Sequence, residues 1–325
     1  MTRVLVTGAT SFVGMPIAQA LQAQGHQVLA LARSPEARAR LSALGLEAVP
    51  GSLDDIEALT CAARGCELVF HIAGLNSLCP RNPRHLWAVN VEGSINMVRA
   101  AASAGVRRVV YTSSAATIGE AKGVLATAAT DHRGWFLSAY EESKYHAEQA
   151  VVALAQDLDL ELICVNPSSV QGPGRVKGSA RLLTNYLQGR LRVAVDSHIS
   201  WVDVRDCCQG HLLAAATGRP GQRYLLCGAS MTVRQALVMV AQQTRVRRRM
   251  LWLSPYWLLG AAHLVELAHR PLGLTPPVCP EMVRTLTHGH RYDGSLAASE
   301  LGLKYTPPGQ TLADAIAWYQ LHGPL

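Results

Sequence analysis

The sequence predicts an α/β fold, a doubly wound parallel sheet with a smaller, mostly helical C-terminal substrate lobe. The first sign is alternation: short apolar, β-branched runs at 3–7, 27–32, 46–49, 67–72, 107–112 and 160–165 are separated by segments of helical periodicity. Such alternation is the mark of parallel βαβ units. The second is that these runs are apolar along nearly their whole length, as strands covered on both faces require. The third is a glycine-rich turn directly after the first run, at Val6-Thr7-Gly8-Ala9-Thr10-Ser11-Phe12-Val13-Gly14. Helical segments at 12–24 and 81–104 end at Gly25 and Gly105, where a left-handed C-terminal cap belongs. After Pro167 the texture changes to Gly/Pro-rich turns and helices, with one more strand expected at 223–227. The predicted division is therefore a dinucleotide-binding domain of 1–167 plus 197–228, and a substrate lobe of 168–196 plus 229–325.

A strand, a glycine turn and a helix together form a phosphate cradle. The first glycine allows the tight turn, the second admits the pyrophosphate, and the third lets helix pack on strand. Gly8 and Gly14 hold the outer places and Ser11 the middle one. Serine fits there if its φ is negative, and its hydroxyl can donate to a phosphate. The N–H groups of Phe12 and Val13 at the helix start point at the anion, with Thr10 beside them. The second run ends Leu31-Ala32-Arg33, with an arginine and no acid where a ribose 2′-group would lie. This favours NADP(H) over NAD(H), with NAD(H) remaining open.

Tyr140-Glu141-Glu142-Ser143-Lys144 sets a phenol and an ammonium four residues apart, on one face of a helix. With nine Tyr and four Lys in the chain, chance supplies roughly 0.1 such pairs, so the spacing is informative. A phenol with a pKa near ~10 is a sluggish acid–base at neutral pH, and a neighbouring ammonium should lower that value. Tyr111-Thr112-Ser113-Ser114 closes the fifth run at the same end of the sheet as the glycine turn. Strand alternation lets one of the two serines face the crevice.

These motifs, with VFHIAG at 69–74, TSSAATIG at 112–119, NPSSVQGPG at 166–174 and WVDVRD at 201–206, resemble the extended short-chain dehydrogenases/reductases of the NAD-dependent epimerase/dehydratase superfamily. The overall texture is most similar to their dihydroflavonol-reductase-like and 3β-hydroxysteroid-dehydrogenase-like branches. The resemblance implies catalysis by Ser114, Tyr140 and Lys144. It also implies cofactor contacts at Ala73 and Gly74, at Leu53 against adenine, and at Pro167 and Val170 near the carboxamide, and it allows a homodimer. Ser52 stands where the family usually has an acid. Ile199 and Asn166 stand where sugar-nucleotide enzymes usually have arginines, while the C-terminal lobe is rich in Leu and Trp. An NADP(H)-dependent oxidoreductase acting on a hydrophobic ketone or secondary alcohol is expected. A sugar-nucleotide epimerase/dehydratase and a non-catalytic dinucleotide-binding regulator are the alternatives.

The net charge of +7 comes from 26 Arg against four Lys, scattered except at 245–249, and no basic stripe with interleaved aromatics suggests nucleic acid. A small-molecule substrate is the expected partner. Eight cysteines without CxxC or Cys/His ligand spacing predict reduced core thiols, no disulfide framework and no metal. His71 reads as a packed strand histidine and Asn90 as a structural helix residue, while His288 and His290 lack a nearby Cys or carboxylate in sequence. No charged-then-apolar leader precedes the first strand, so a cytoplasmic protein is expected. The apolar stretch 250–268 contains Pro255, His263 and Glu266, which argues against a spanning helix. It reads first as a helix covering a substrate pocket, and second as a weak peripheral membrane contact through 245–268.

Overall fold

The computed structural model describes residues 2–176 and 178–323. Its first part runs β1 (Arg3–Thr7), α1 (Gly14–Ala23), β2 (Gln27–Ala32), α2 (Pro35–Ser42), β3 (Glu47–Pro50), α3 (Ile56–Ala63), β4 (Leu68–His71), α4 (Pro83–Trp87), α5 (Gly93–Ser103), β5 (Arg108–Thr112), β6 (Leu125–Ala126), α6 (Ala139–Asp157) and β7 (Glu161–Pro167). The chain continues through β8 (Ser169–Gln171), α7 (Ala180–Leu187), β9 (Val193–Ala194), β10 (His198–Asp203), α8 (Val204–Thr217), β11 (Arg223–Leu226), β12 (Ala229–Thr232) and α9 (Val233–Thr244). It ends with β13 (Leu251–Trp252), α10 (Pro255–His269), α11 (Pro280–His288), β14 (Arg291–Tyr292), α12 (Ser295–Leu301) and α13 (Pro308–His322).

Seven strands form one parallel sheet in the order β11-β7-β5-β4-β1-β2-β3. The order reverses at β1, which opens a crevice at the C-terminal strand ends between β1 and β4. Strand alternation sorts the core in two: Val4 and Val6 pack with Ile17, Leu21 and Phe70 in one cluster. Leu5 faces the other way, onto Leu59, Met97 and Tyr111. Each cluster removes the apolar face of its helices from water, the principal stabilising term. The predicted strands are all present, shifted by a residue or two at their ends.

A separate core joins Trp201 of β10 to Tyr186, Val233, Leu237, Val240, Leu312 and Ile316 of the C-terminal part. Two of the eight cysteines depart from expectation. Cys79, in the loop after β4, and Cys279, at the start of α11, form a disulfide across 200 residues. Ligand-type spacing has no bearing on a pair so far apart in sequence, so the expectation of eight reduced thiols fails there. Cys66, Cys164, Cys207, Cys208 and Cys227 are buried free thiols, and Cys61 is exposed.

Candidate active site

The glycine turn is built by contacts at both ends. Gly8 has φ +71°, and a Cβ there would lie 2.7 Å from the backbone N of Ala73. Only glycine permits both the left-handed backbone and that approach. A Cβ on Gly14 would lie 2.2 Å from the carbonyl oxygen of Gly8, so helix and turn are in contact. Ser11 stays out of the positive-φ region, as its side chain requires. Its Oγ accepts from the Gly14 N–H at 2.9 Å, so the side chain holds the first residue of α1 and its own proton remains available for donation. Among the described residues, neither the Phe12 nor the Val13 N–H donates to another group of the chain. Two free amides at a helix start, with Thr10 alongside, suit a pyrophosphate.

Ala73 follows β4, and its N–H donates to Thr7 Oγ1 at 3.2 Å. Gly74 sits against the Asn90 side chain, whose Oδ1 would be 3.2 Å from a Cβ there. Asn90 lies in a π-helical turn, Ala88–Glu92, between α4 and α5. It accepts from the Leu75 N–H at 2.8 Å and donates to Ser143 Oγ at 3.0 Å. It therefore ties the loop after β4 to the helix of Tyr140 and Lys144, a positioning role. Leu53 is half-buried, its backbone carbonyl held by Asn96 Nδ2 at 2.9 Å. Arg33 is exposed at the end of β2, with Arg38 Nη1 donating to its carbonyl at 3.4 Å. No sequence motif marks Arg38 for this position.

Ser114 lies just past β5, where its Oγ accepts from the Ala116 N–H at 3.2 Å. Ser113 is buried with its Oγ unpartnered, so the alternation turns Ser114 to the crevice. Tyr140 and Lys144 ride on α6, which is capped by Ser138 and held by Glu141. The buried Glu141 carboxylate pairs with Arg133 and accepts from the Leu137 N–H at 2.8 Å. Glu281 of α11 adds an acceptor for the Ala139 N–H at 3.0 Å. A carboxylate at a helix N-terminus also meets the favourable end of its dipole. Neither Arg133 nor Glu281 announced this role in sequence.

The electrostatics differ from the expectation in one respect. Lys144 Nζ donates to Tyr111 Oη at 3.0 Å and to the Thr112 carbonyl at 2.9 Å. Burial lowers its pKa to about 8, opposed by the Glu148 carboxylate one turn along. The Tyr140 phenol is raised by burial, while the Ser114 hydroxyl and the Arg175 guanidinium act to lower it. The cation working on this phenol is Arg175, which stacks 5.2 Å over the Phe12 ring, because Lys144 is turned toward β5. Pro167 closes β7. Val170 pairs with Val202 in β10 and its side chain belongs to the main core. Asn166 is fully buried and donates to Glu148 at 2.6 Å and to the Ser114 carbonyl at 3.2 Å, so it supports the Ser114 turn from beneath.

The model for the NAD dependent epimerase/dehydratase family matches residues 4–227. The chain belongs to that family. It is 34% identical over 328 residues to a Synechocystis sp. protein provisionally named dihydroflavonol 4-reductase, covering 98% of this chain and 94% of that one. It is 33% identical over 329 residues to sterol demethylase protein B of Methylococcus capsulatus, covering 98% of both. The crystal structure of gox2253 superposes with a TM-score of 0.87 at 32% identity over the whole of both chains. The protein is thus an extended short-chain dehydrogenase/reductase of oxidoreductase type.

His71 is a packed residue, as expected: Nδ1 meets Thr7 Oγ1 at 2.8 Å and Nε2 meets Ser94 Oγ at 3.1 Å. Burial, then Lys144, lowers its pKa to about 3. The view of His288 and His290 needs correcting, because the fold brings Glu120 to them, with ligand-type atoms within 4.8 Å of one another. His290 Nδ1 lies 2.7 Å from Glu120 Oε1 and His288 Nε2 lies 3.1 Å from the Glu120 carbonyl. Arg133 donates to that same carbonyl at 3.2 Å. The cluster is a clasp between the lobe and the segment that carries Ser114 and Tyr140.

Proposed function

We propose that the protein is an NADP(H)-dependent reductase of hydrophobic ketones, whose same groups run in reverse to oxidise a secondary alcohol. The observation that supports the reading is the Ser114–Tyr140 hydrogen bond, with Lys144 one turn along the same helix and held against the end of β5, in the sheet that carries the Gly8–Gly14 turn. The free Phe12 and Val13 amides fit a pyrophosphate, and Arg33 at the end of β2 with Arg38 of α2 fits a 2′-phosphate. When bound, a nicotinamide dinucleotide supplies the hydride that reaches the carbonyl carbon. Tyr140 gives its phenolic proton to the carbonyl oxygen, and Ser114 donates a hydrogen bond to the same oxygen as charge develops. Burial keeps the Tyr140 phenol protonated, which suits reduction at neutral pH. In the oxidative direction its phenolate takes up the alcohol proton. Lys144 supports the site with a cation near the end of β5.

A hydrophobic substrate is supported by relatives named for sterol and dihydroflavonol chemistry. It is also supported by Asn166, which is committed to Glu148 and so is unavailable to a nucleotide. The reading is tested by following NADPH consumption with a panel of steroid, flavonoid and alkyl ketones, in wild type and Tyr140→Phe. The expected result is turnover of at least one ketone, reduced about 10²–10⁴-fold in the variant. Tightly held NAD in the purified protein with no ketone turned over would put the epimerase alternative in its place.

A further inference from the structure

A surface helix in a globular protein normally turns its apolar stripe inward and its charges outward. α10 is apolar on both sides. Its inward side, packed against α11, carries the buried Ala262 and the partly buried Leu258, Leu259, Val265 and Glu266. Its outward side is the exposed stripe at 256, 257, 260, 261, 264, 267 and 268, which carries no Asp, Glu, Lys or Arg, with the exposed His263 at its edge. Trp257 is 77% exposed, Leu264 70% and Leu267 69%. The apolar surface continues through the exposed Leu272 and Leu274.

Exposed arginines precede and follow this helix in the chain, at 245, 247, 248 and 249 before it and at 270 after it. Arg248 is tethered to the Leu187 carbonyl at 3.2 Å. The only acid from 245 to 278 is Glu266, on the inward side. A second copy pairing through the same face would offer it no countercharge, whereas an anionic leaflet offers both an apolar interior and phosphates. No described helix is long and apolar enough to cross a membrane.

We infer that α10 and the 270–274 segment dock in the plane of an anionic lipid surface. Trp257, Leu264 and Leu267 enter the boundary between headgroups and acyl chains, and Arg245, Arg247, Arg249 and Arg270 meet the phosphates. An apolar ketone dissolved in that leaflet would then be concentrated beside the enzyme; the docking itself does not depend on the proposed activity.

The test is cosedimentation of the full chain with vesicles of phosphatidylcholine alone or mixed with phosphatidylglycerol. Binding should favour the mixed vesicles, weaken with salt and shift tryptophan emission to the blue. Leu264→Glu/Leu267→Glu should bind at least about tenfold more weakly, with NADPH affinity unchanged as the check on folding. Arg247→Glu/Arg249→Glu should lose the preference for phosphatidylglycerol. Absence of binding to either vesicle, or equal binding by the leucine variant, would overturn the inference. So would a wild-type dimer in light scattering that the leucine variant dissociates, since the face would then be covered by a second copy.

Discussion

The parallel sheet and the 245–278 stretch of the lobe are both rich in apolar residues and use them in opposite ways. In the sheet, Val6 and Leu5 are neighbours, are fully buried and feed separate cores on the two faces. In α10, Trp257 and Leu264 are on one stripe and point at solvent. Composition alone does not separate these cases. The difference lies in what packs against each element: helices cover both faces of the sheet, while α11 covers one side of α10. Apolar residues therefore form the core in the first region and remain open to solvent in the second, where the proposed lipid contact would cover them.

Replacing a side chain in each region gives the sharpest contrast. Phe70→Ala, in the centre of the sheet and fully buried, should cost about 3–5 kcal/mol through lost burial and a residual cavity. Urea unfolding measures it, and a loss below about 1 kcal/mol would mean the core is not packed as described.

A pH titration of stability probes the frame next. Burial holds His211 and His288 down at about 4 and His71 at about 3, against 6.5 for the free side chain. All three are neutral in the folded chain, so as pH falls below 6.5 the unfolded chain takes up protons that the folded one does not. The stabilisation is complete above pH 6.5 and is lost as pH falls toward 4, at roughly 2 kcal/mol per histidine by pH ~5. Unfolding midpoints that stay level from pH 7 to pH ~5 would contradict those burials.

The smallest expected effect is the most telling. Leu264→Ala should change stability by no more than about 0.5 kcal/mol, because the side chain is already in water. A cost near that of Phe70→Ala would show that the face is covered within the protein itself.

What the sequence shows and what it hides follow the same division. The strands, the left-handed Gly8 and the Tyr140–Lys144 spacing depend on neighbours a few residues away, so local pattern reveals them. The Cys79–Cys279 bridge, the Glu120–His290 pair and the Glu281 contact to Ala139 join positions more than a hundred residues apart, and no local signal marks them. Lys144 is an intermediate case. Its helix position was readable, but the direction of its ammonium is set by Tyr111 and Thr112 on another strand, which left Arg175 as the cation acting on Tyr140. For α10 the apolar stripe is local, and the side that stays open is decided by tertiary packing.

The central claim is that the Gly8–Gly14 turn and Arg33 hold NADP(H) for hydride transfer. Titrating the purified protein with NADPH and with NADH, following nicotinamide fluorescence in wild type and Arg33→Ala, addresses it directly. The account predicts tighter binding of NADPH, with the preference reduced at least about tenfold in the variant while NADH affinity is unchanged, as loss of a charge-assisted phosphate contact requires. Equal affinity for the two cofactors in wild type, or an Arg33→Ala variant that keeps the full preference, would contradict it.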